Sequence, residues 1–200
     1  MNDIPILLLA AGSSSRMRGR DKLMEDVDGQ PLVARAARIA LATGAQVFVT
    51  LPPSPHPRHG ALQGLPVHIV PVPDAAEGMG ASIRTGIAAL PAHSPAVMVL
   101  LADLADLTTE DLRTVLNAVE PGDGAKIWRG ATDAGQPGHP IVFAAPLFPD
   151  LARLGGDEGG RSVVAAAGTA VRKVPLPGQH ALADLDTPEA WSAWRAARDT

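Results

Sequence analysis

Three leucines, Leu7, Leu8 and Leu9, run into a turn of small residues, Ala10, Ala11, Gly12, Ser13, Ser14 and Ser15, and four cations follow at once: Arg16, Arg18, Arg20 and Lys22. Backbone N–H groups of a Gly- and Ser-rich loop leaving a strand are free to point at phosphate oxygens, and neighbouring Arg and Lys side chains neutralise the charge. The same composition also describes a tight surface turn with solvated cations. It is not a Walker loop, which ends in Gly-Lys-Ser/Thr, and it lacks the Gly-x-Gly-x-x-Gly spacing of dinucleotide folds. A second residue with chemical potential is Asp103, at the end of the apolar run AVMVLLA. A strand-end Asp is often a cap or turn former. Here so apolar an approach makes a lone carboxylate costly unless it is paired, which favours a metal ion as its partner.

Elements able to position these groups alternate along the chain. Residues 4–9 are continuously apolar, as expected of a strand buried on both faces. Residues 31–43 read as a helix with Pro31 in its first turn, Leu32, Ala36, Ile39, Ala40 and Thr43 on one face, and Gly44 as its stop. Strands are expected at 46–50, 67–70 and 96–102, and a helix at 81–90. Thr108 and Asp111 form a capping-box-like start to a helix whose stripe is Leu112, Val115, Leu116 and Val119. Strand and helix in alternation predict a three-layer α/β fold, a mainly parallel sheet with helices on both faces. Ligands of such sheets gather beyond the carboxyl ends of the strands, so the Ala11 loop and Asp103 should face one crevice.

The second half is less regular. Residues 125–128 and 140–143 predict strands around the loop RGATDAGQPGHP, residues 147–154 and 161–167 helices, and 169–174 a last strand. A closing helix from Pro188 should pack Trp191 and Trp194 into the core. The stretch LPPSPHPRHGALQGLP reads as a surface excursion, with His56, His59 and His68 exposed. Neither a repeat nor a domain boundary is evident, so residues 1–200 are expected to form one domain.

With 200 residues the chain can bury a proper core without staples. The absence of Cys removes disulfides, thiolate metal sites and thiol nucleophiles, and fits a cytoplasmic location. Asp3 stands where a signal peptide carries Lys or Arg, and the apolar run after it is too short to span a bilayer, so no membrane partner is expected. A formal net charge of −4 and the scarcity of aromatic residues argue against nucleic acid as a partner.

The stretch LAAGSSSRMRGRDKL closely resembles the signature of the nucleotidyltransferases with a Rossmann-like fold, in particular the MobA-like group, with Arg18 where that family usually has Gly. Five further segments resemble its motifs in order: EGMGASIRTGIAAL, the segment of the molybdopterin cytidylyltransferase branch; VLLADLADLTTEDL, with Leu104 and Ala105 in place of Gln-Pro; GQPGHPIVF; LGGDEGGRSVV; and DLDTPEAW. The resemblance implies that the N-terminal half binds an NTP, CTP favoured over GTP, through Leu9, Ala10, Ala11, Gly12, Ser13, Lys22, Gly78, Met79, Gly80 and Ser82. Arg16, Lys22 and Asp103 would be catalytic. Mg²⁺, which takes one or two carboxylates plus phosphate oxygens and water, would sit on Asp103 with Asp184 or Asp186. The C-terminal half would hold a phosphorylated acceptor, by resemblance molybdopterin, at Gly138, His139, Pro140, Asp157 and Arg161.

Group transfer of this kind needs charge neutralisation and alignment more than covalent help. Arg18 and Arg20 are expected to be solvated. His139 either touches the acceptor or is a turn histidine bonded to backbone, and Asp157 and Arg161 either shape the acceptor pocket or pair with each other. A sugar or polyol phosphate is the alternative acceptor. The rival of another class is a non-catalytic carrier that hands molybdenum cofactor to a client molybdenum hydroxylase; Arg16, Lys22 and Asp103 together speak against it.

Overall fold

Hydrophobic alternation dictates the layers. In the computed structural model, which describes residues 4–120, 122 and 124–198, the chain runs through β1 (Ile6–Leu9), the two-residue strands β2 (Asp26–Val27) and β3 (Gln30–Pro31), α1 (Leu32–Leu41), β4 (Val47–Leu51), α2 (Pro57–Ala61) and β5 (His68–Pro71). It continues through α3 (Met79–Ala89), β6 (Ala96–Leu101), α4 (Thr109–Asn117), β7 (Ile127–Ala131), β8 (Pro137–Ala144), α5 (Phe148–Leu151), α6 (Arg161–Ala167), β9 (Val171–Pro175) and α7 (Pro188–Arg198). Asp3 lies outside the described residues.

Seven strands form one sheet in the order β5-β4-β1-β6-β8-β7-β9, and β2 pairs with β3 as a separate ribbon. β1 lies parallel to both β4 and β6, while β8 alone runs against its neighbours β6 and β7. Side chains of odd and even positions go to opposite faces. Ile6 and Leu8 join Val49, Met98, Leu100, Leu112 and Trp191 in one core; Leu7 and Leu9 join Ile83, Val97, Val99, Phe143 and Val163 in the other. β1 is therefore apolar throughout because both faces are covered.

The α4 start is a complete capping box, Thr108 Oγ1 accepting from the Asp111 N–H and the Asp111 carboxylate accepting from the Thr108 N–H. Corrections cluster at element ends and in the second half. Pro31 caps α1 rather than opening it, the helix expected at 147–154 is a single turn, and the strand expected at 140–143 begins three residues earlier as β8. The Pro-rich excursion contains α2, with Arg58 and Leu62 buried. Trp191 is fully buried, but Trp194 is only partly so, its indole N–H donating to Asp106 at 2.7 Å. Among the described residues no helix is long and apolar enough to cross a membrane.

Candidate active site

The loop after β1 is held from behind by one buried side chain. Arg58, 2% exposed, donates through Nη1 to the Ala10 carbonyl at 2.6 Å, through Nη2 to Ser14 Oγ at 3.2 Å, and through Nη2 and Nε to the two Asp21 oxygens at 2.6 and 2.8 Å. Asp21 in turn accepts the Leu23 N–H at 3.0 Å, capping the short turn that carries Lys22. Ser14 Oγ also accepts the Lys22 N–H, at 3.3 Å. Ser14 and Arg18 both adopt left-handed backbone, φ 54° and 52°, so the loop doubles back on itself. A glycine at position 18 would carry no steric penalty there, which gives the glycine usual in the resembling signature a physical reason.

Lys22 is thereby aimed at a cluster of carboxylates. Its Nζ donates to Asp103 Oδ2 at 2.5 Å and to Asp186 Oδ1 at 2.6 Å, and Arg16 pairs with the other Asp186 oxygen. Asp186 arrives because the turn after β6 is stitched to the C-terminal segment: Leu104 bridges Asp184, and the Leu185 N–H donates to the Asp103 carbonyl at 3.3 Å. Burial works against the Lys22 ammonium, but Asp103 and Asp186 outweigh it and raise its pKa above the ordinary lysine value. Burial alone would raise Asp186; Lys22 prevails and holds it below the usual carboxylate range. Asp184 is pushed up, first by burial and then by the adjacent Asp186. Lys22 stands between Asp103 and Asp186, and among the described residues no group of three or more His, Cys, Asp or Glu could hold a metal ion.

Two cavities meet at this cluster. The first, of about 400 Å³, is walled by Leu9, Ala11, Gly12, Ser13, Ser14, Ser15, Gly78, Met79 and Ser82. The second, of about 500 Å³, is walled by Arg129, Gly138, His139, Glu158 and Arg161. Arg16, Lys22, Asp103, Asp157 and Asp186 line both. Three expected residues stay behind the walls. Ala10 gives its carbonyl to Arg58, Pro140 is buried within β8, and Gly80 abuts the backbone of Gly155.

Glycines make the approach of the two walls possible. A Cβ on Gly78 would come 2.1 Å from Asp157 Oδ1, and one on Gly80 would come 2.7 Å from the Gly155 backbone. The GMG segment thus seats the 155–157 turn and carries Asp157 to the junction. Gly138 does the same for the C-terminal segment, since its Cβ would fall 2.0 Å from the Ala181 carbonyl oxygen.

His139 packs beside Gly138 with Nδ1 buried and without a hydrogen-bond partner. Burial, aided by Arg129, lowers its pKa to about 4, so the ring is neutral near pH 7. Arg129 was not singled out by any motif; it sits on β7 and donates through Nε to the Gly138 carbonyl at 2.8 Å. A charged residue in the middle of a strand beside apolar neighbours was the available signal. No ion pair joins Asp157 to Arg161. Arg18 and Arg20 are exposed, Arg18 pairing with the exposed Glu189 and Arg20 with the largely buried Glu25. Of the three histidines expected at the surface, only His68 is exposed: His59 Nε2 contacts the Pro52 carbonyl at 2.8 Å and His56 caps α2.

A small-residue loop backed by a lysine–aspartate junction can handle polyphosphates, and the doubly covered sheet that delivers it places the molecule among the Rossmann-like α/β proteins. The family model of the MobA-like NTP transferase domain matches residues 6–172, and the chain belongs to that family of nucleotidyltransferases. The purine catabolism protein PucB of Bacillus subtilis is 27% identical over 206 residues, covering 96% of this chain and 95% of its own length. A probable molybdenum cofactor guanylyltransferase of Synechococcus elongatus is 30% identical over 192 residues, covering 93% and 95%. The crystal structure of Rv0371c from Mycobacterium tuberculosis superposes with a TM-score of 0.79 at 26% identity, covering 96% and 97% of the two chains. The same protein in complex with manganese gives 0.78 at 23% identity, again covering 96% and 97%.

Proposed function

We propose that this chain, acting as one domain in the cytoplasm, transfers the nucleoside monophosphate of CTP to a phosphate of molybdopterin in its molybdenum-bound form and releases pyrophosphate. The observation that carries the reading is the meeting of two cavities at Lys22, Asp103 and Asp186. An NTP in the first cavity would lay its triphosphate over the backbone of Gly12 and Ser13, with its α-phosphorus facing the second. An acceptor oxygen would enter from the second cavity and attack that phosphorus while the bond to the pyrophosphate oxygen breaks. Lys22 and Arg16 are the cations placed to offset charge on the departing pyrophosphate.

Divalent metal fits the residues present. Asp103 Oδ1 is buried without a hydrogen-bond partner, so one carboxylate oxygen remains free for a hard cation while Oδ2 holds Lys22. Asp103 with Asp184 or Asp186 would hold Mg²⁺. When bound, the ion neutralises phosphate oxygens and polarises the scissile bond. The manganese complex of Rv0371c supports a divalent-ion requirement.

CTP is preferred because the stretch EGMGASIRTGIAAL resembles the cytidylyltransferase branch and walls the first cavity through Gly78, Met79 and Ser82. The guanylyltransferase name of the Synechococcus relative favours GTP as the second reading. Molybdopterin follows from that same relative, and a molybdenum hydroxylase would be the client of the product. Pyrophosphate release measured with each of the four NTPs, Mg²⁺ and molybdopterin or a polyol phosphate tests the reading. The expected result is release with CTP and molybdopterin. Release with GTP alone transfers the reading to a guanylyltransferase. No release with any pair, alongside tight molybdopterin binding, overturns it in favour of a carrier.

A further inference from the structure

Most arginines of this acidic chain stand beside a carboxylate, as Arg16 does with Asp186, Arg58 with Asp21 and Arg84 with Glu77. Two on the second cavity do not. Arg129 is half-buried on β7, and its Nε and Nη2 lean on the carbonyls of Gly138 and Pro137 at 2.8 and 3.4 Å, leaving Nη1 without a partner among the described residues. Arg161, at the first position of α6, is exposed at the same wall and pairs with no described carboxylate. Burial and the nearby Arg161 charge both lower the Arg129 pKa, so the two guanidinium groups are close enough to repel. His139, which lines the same cavity, adds no charge to it, being neutral near pH 7.

Like charges lining one cavity, with donors unfilled, are stabilised by an anion that takes both. The geometry points to Arg129 and Arg161 as a two-armed receptor for a phosphate monoester dianion on the acceptor, Arg129 fixing it from inside the cavity and Arg161 closing from the mouth. This rests on the reading of the second cavity as the acceptor site. A carboxylate, with half the charge and one plane of oxygens, would satisfy one guanidinium and leave the other unpaired.

The test is calorimetric binding of phenyl phosphate to the full chain saturated with α,β-methylene-CTP, which keeps the probe off the triphosphate loop. Arg129→Met and Arg161→Met should each weaken phenyl phosphate binding by about tenfold or more, and Arg129→Lys should restore part of the loss. Benzoate should bind more weakly than phenyl phosphate. Both variants should bind the CTP analogue as the wild type does; if Arg129→Met fails to fold, the exposed Arg161→Met decides alone. Unchanged affinity in Arg161→Met, equal affinity for benzoate, or no phenyl phosphate binding by the wild type overturns the proposal. Absence of pyrophosphate release with intact, arginine-dependent phenyl phosphate binding would instead overturn the transferase reading and leave the receptor standing.

Discussion

Arg58 meets Asp21 in a two-pronged ion pair, Nη2 on Oδ1 at 2.6 Å and Nε on Oδ2 at 2.8 Å, behind the loop that follows β1. The guanidinium is almost wholly buried and also holds the Ala10 carbonyl and Ser14. It therefore fixes the path of the loop and, through Asp21, the turn that aims Lys22. Removing it strands a carboxylate that remains partly exposed, so Arg58→Met should lower stability by about 3 kcal/mol, near the bottom of the range for a broken buried pair. Arg58→Lys, which cannot reach both Asp21 oxygens and Ala10 together, should fold better than Arg58→Met yet show a raised KM for NTP. Urea denaturation and steady-state kinetics read the two effects separately, and an unchanged KM in both variants would contradict the loop-positioning role.

His139 makes stability depend on pH in a predictable window. Its folded pKa, about 4, lies below the unfolded value of 6.5, so below pH 6.5 the unfolded chain binds a proton that the folded chain refuses. Stability should fall as pH drops from 6.5 towards 4, by up to about 3 kcal/mol from this residue alone. His139→Gln should flatten that part of the profile in thermal melts. A parallel profile in wild type and variant would contradict a neutral buried imidazole.

Asp21 and Asp186 act in the same direction as His139, but at lower pH. Both have folded pKa values lowered from 3.8, burial being outweighed by Arg58 in the first and Lys22 in the second. Their contribution is full above pH 3.8 and is lost as pH falls further through the lowered values. Asp21→Asn should therefore cost stability at pH 7 and little at pH 2, in the same urea assay at both pH values.

Arg18 occupies left-handed backbone at φ 52°, where a non-glycine side chain is strained by roughly 1 kcal/mol. Its ion pair with Glu189 is exposed on both sides and screened by salt. Strain relief outweighs the lost pair, so Arg18→Gly should raise the melting temperature and leave pyrophosphate release within about twofold of wild type. A lower melting temperature in high salt would reverse that ordering of effects.

Much of this site is legible in sequence because its parts are local. An apolar strand, a small-residue loop and a strand-end Asp announce themselves by composition, and Thr108 with Asp111 by spacing. Arg58 was hidden because burial of its guanidinium depends on Asp21, 37 residues away in sequence, and on the Ala10 carbonyl. Prolines around it suggested a surface loop. Arg129 was hidden for the same reason, its partners being backbone carbonyls across the β7–β8 pair. The reversed direction of β8 is equally non-local, fixed by pairing with β6 and β7 rather than by any residue within it.

Whether Asp103 is the pivot of nucleotidyl transfer is decided by single-turnover pyrophosphate release in Asp103→Asn, with CTP, Mg²⁺ and molybdopterin and with CTP binding measured alongside. The variant keeps the side-chain shape and the Lys22 contact but loses the charge that Lys22 and a divalent ion share. Transfer should fall by about 10³-fold or more while CTP binding and the melting temperature change little. A rate within a few-fold of wild type would contradict the role assigned to Asp103.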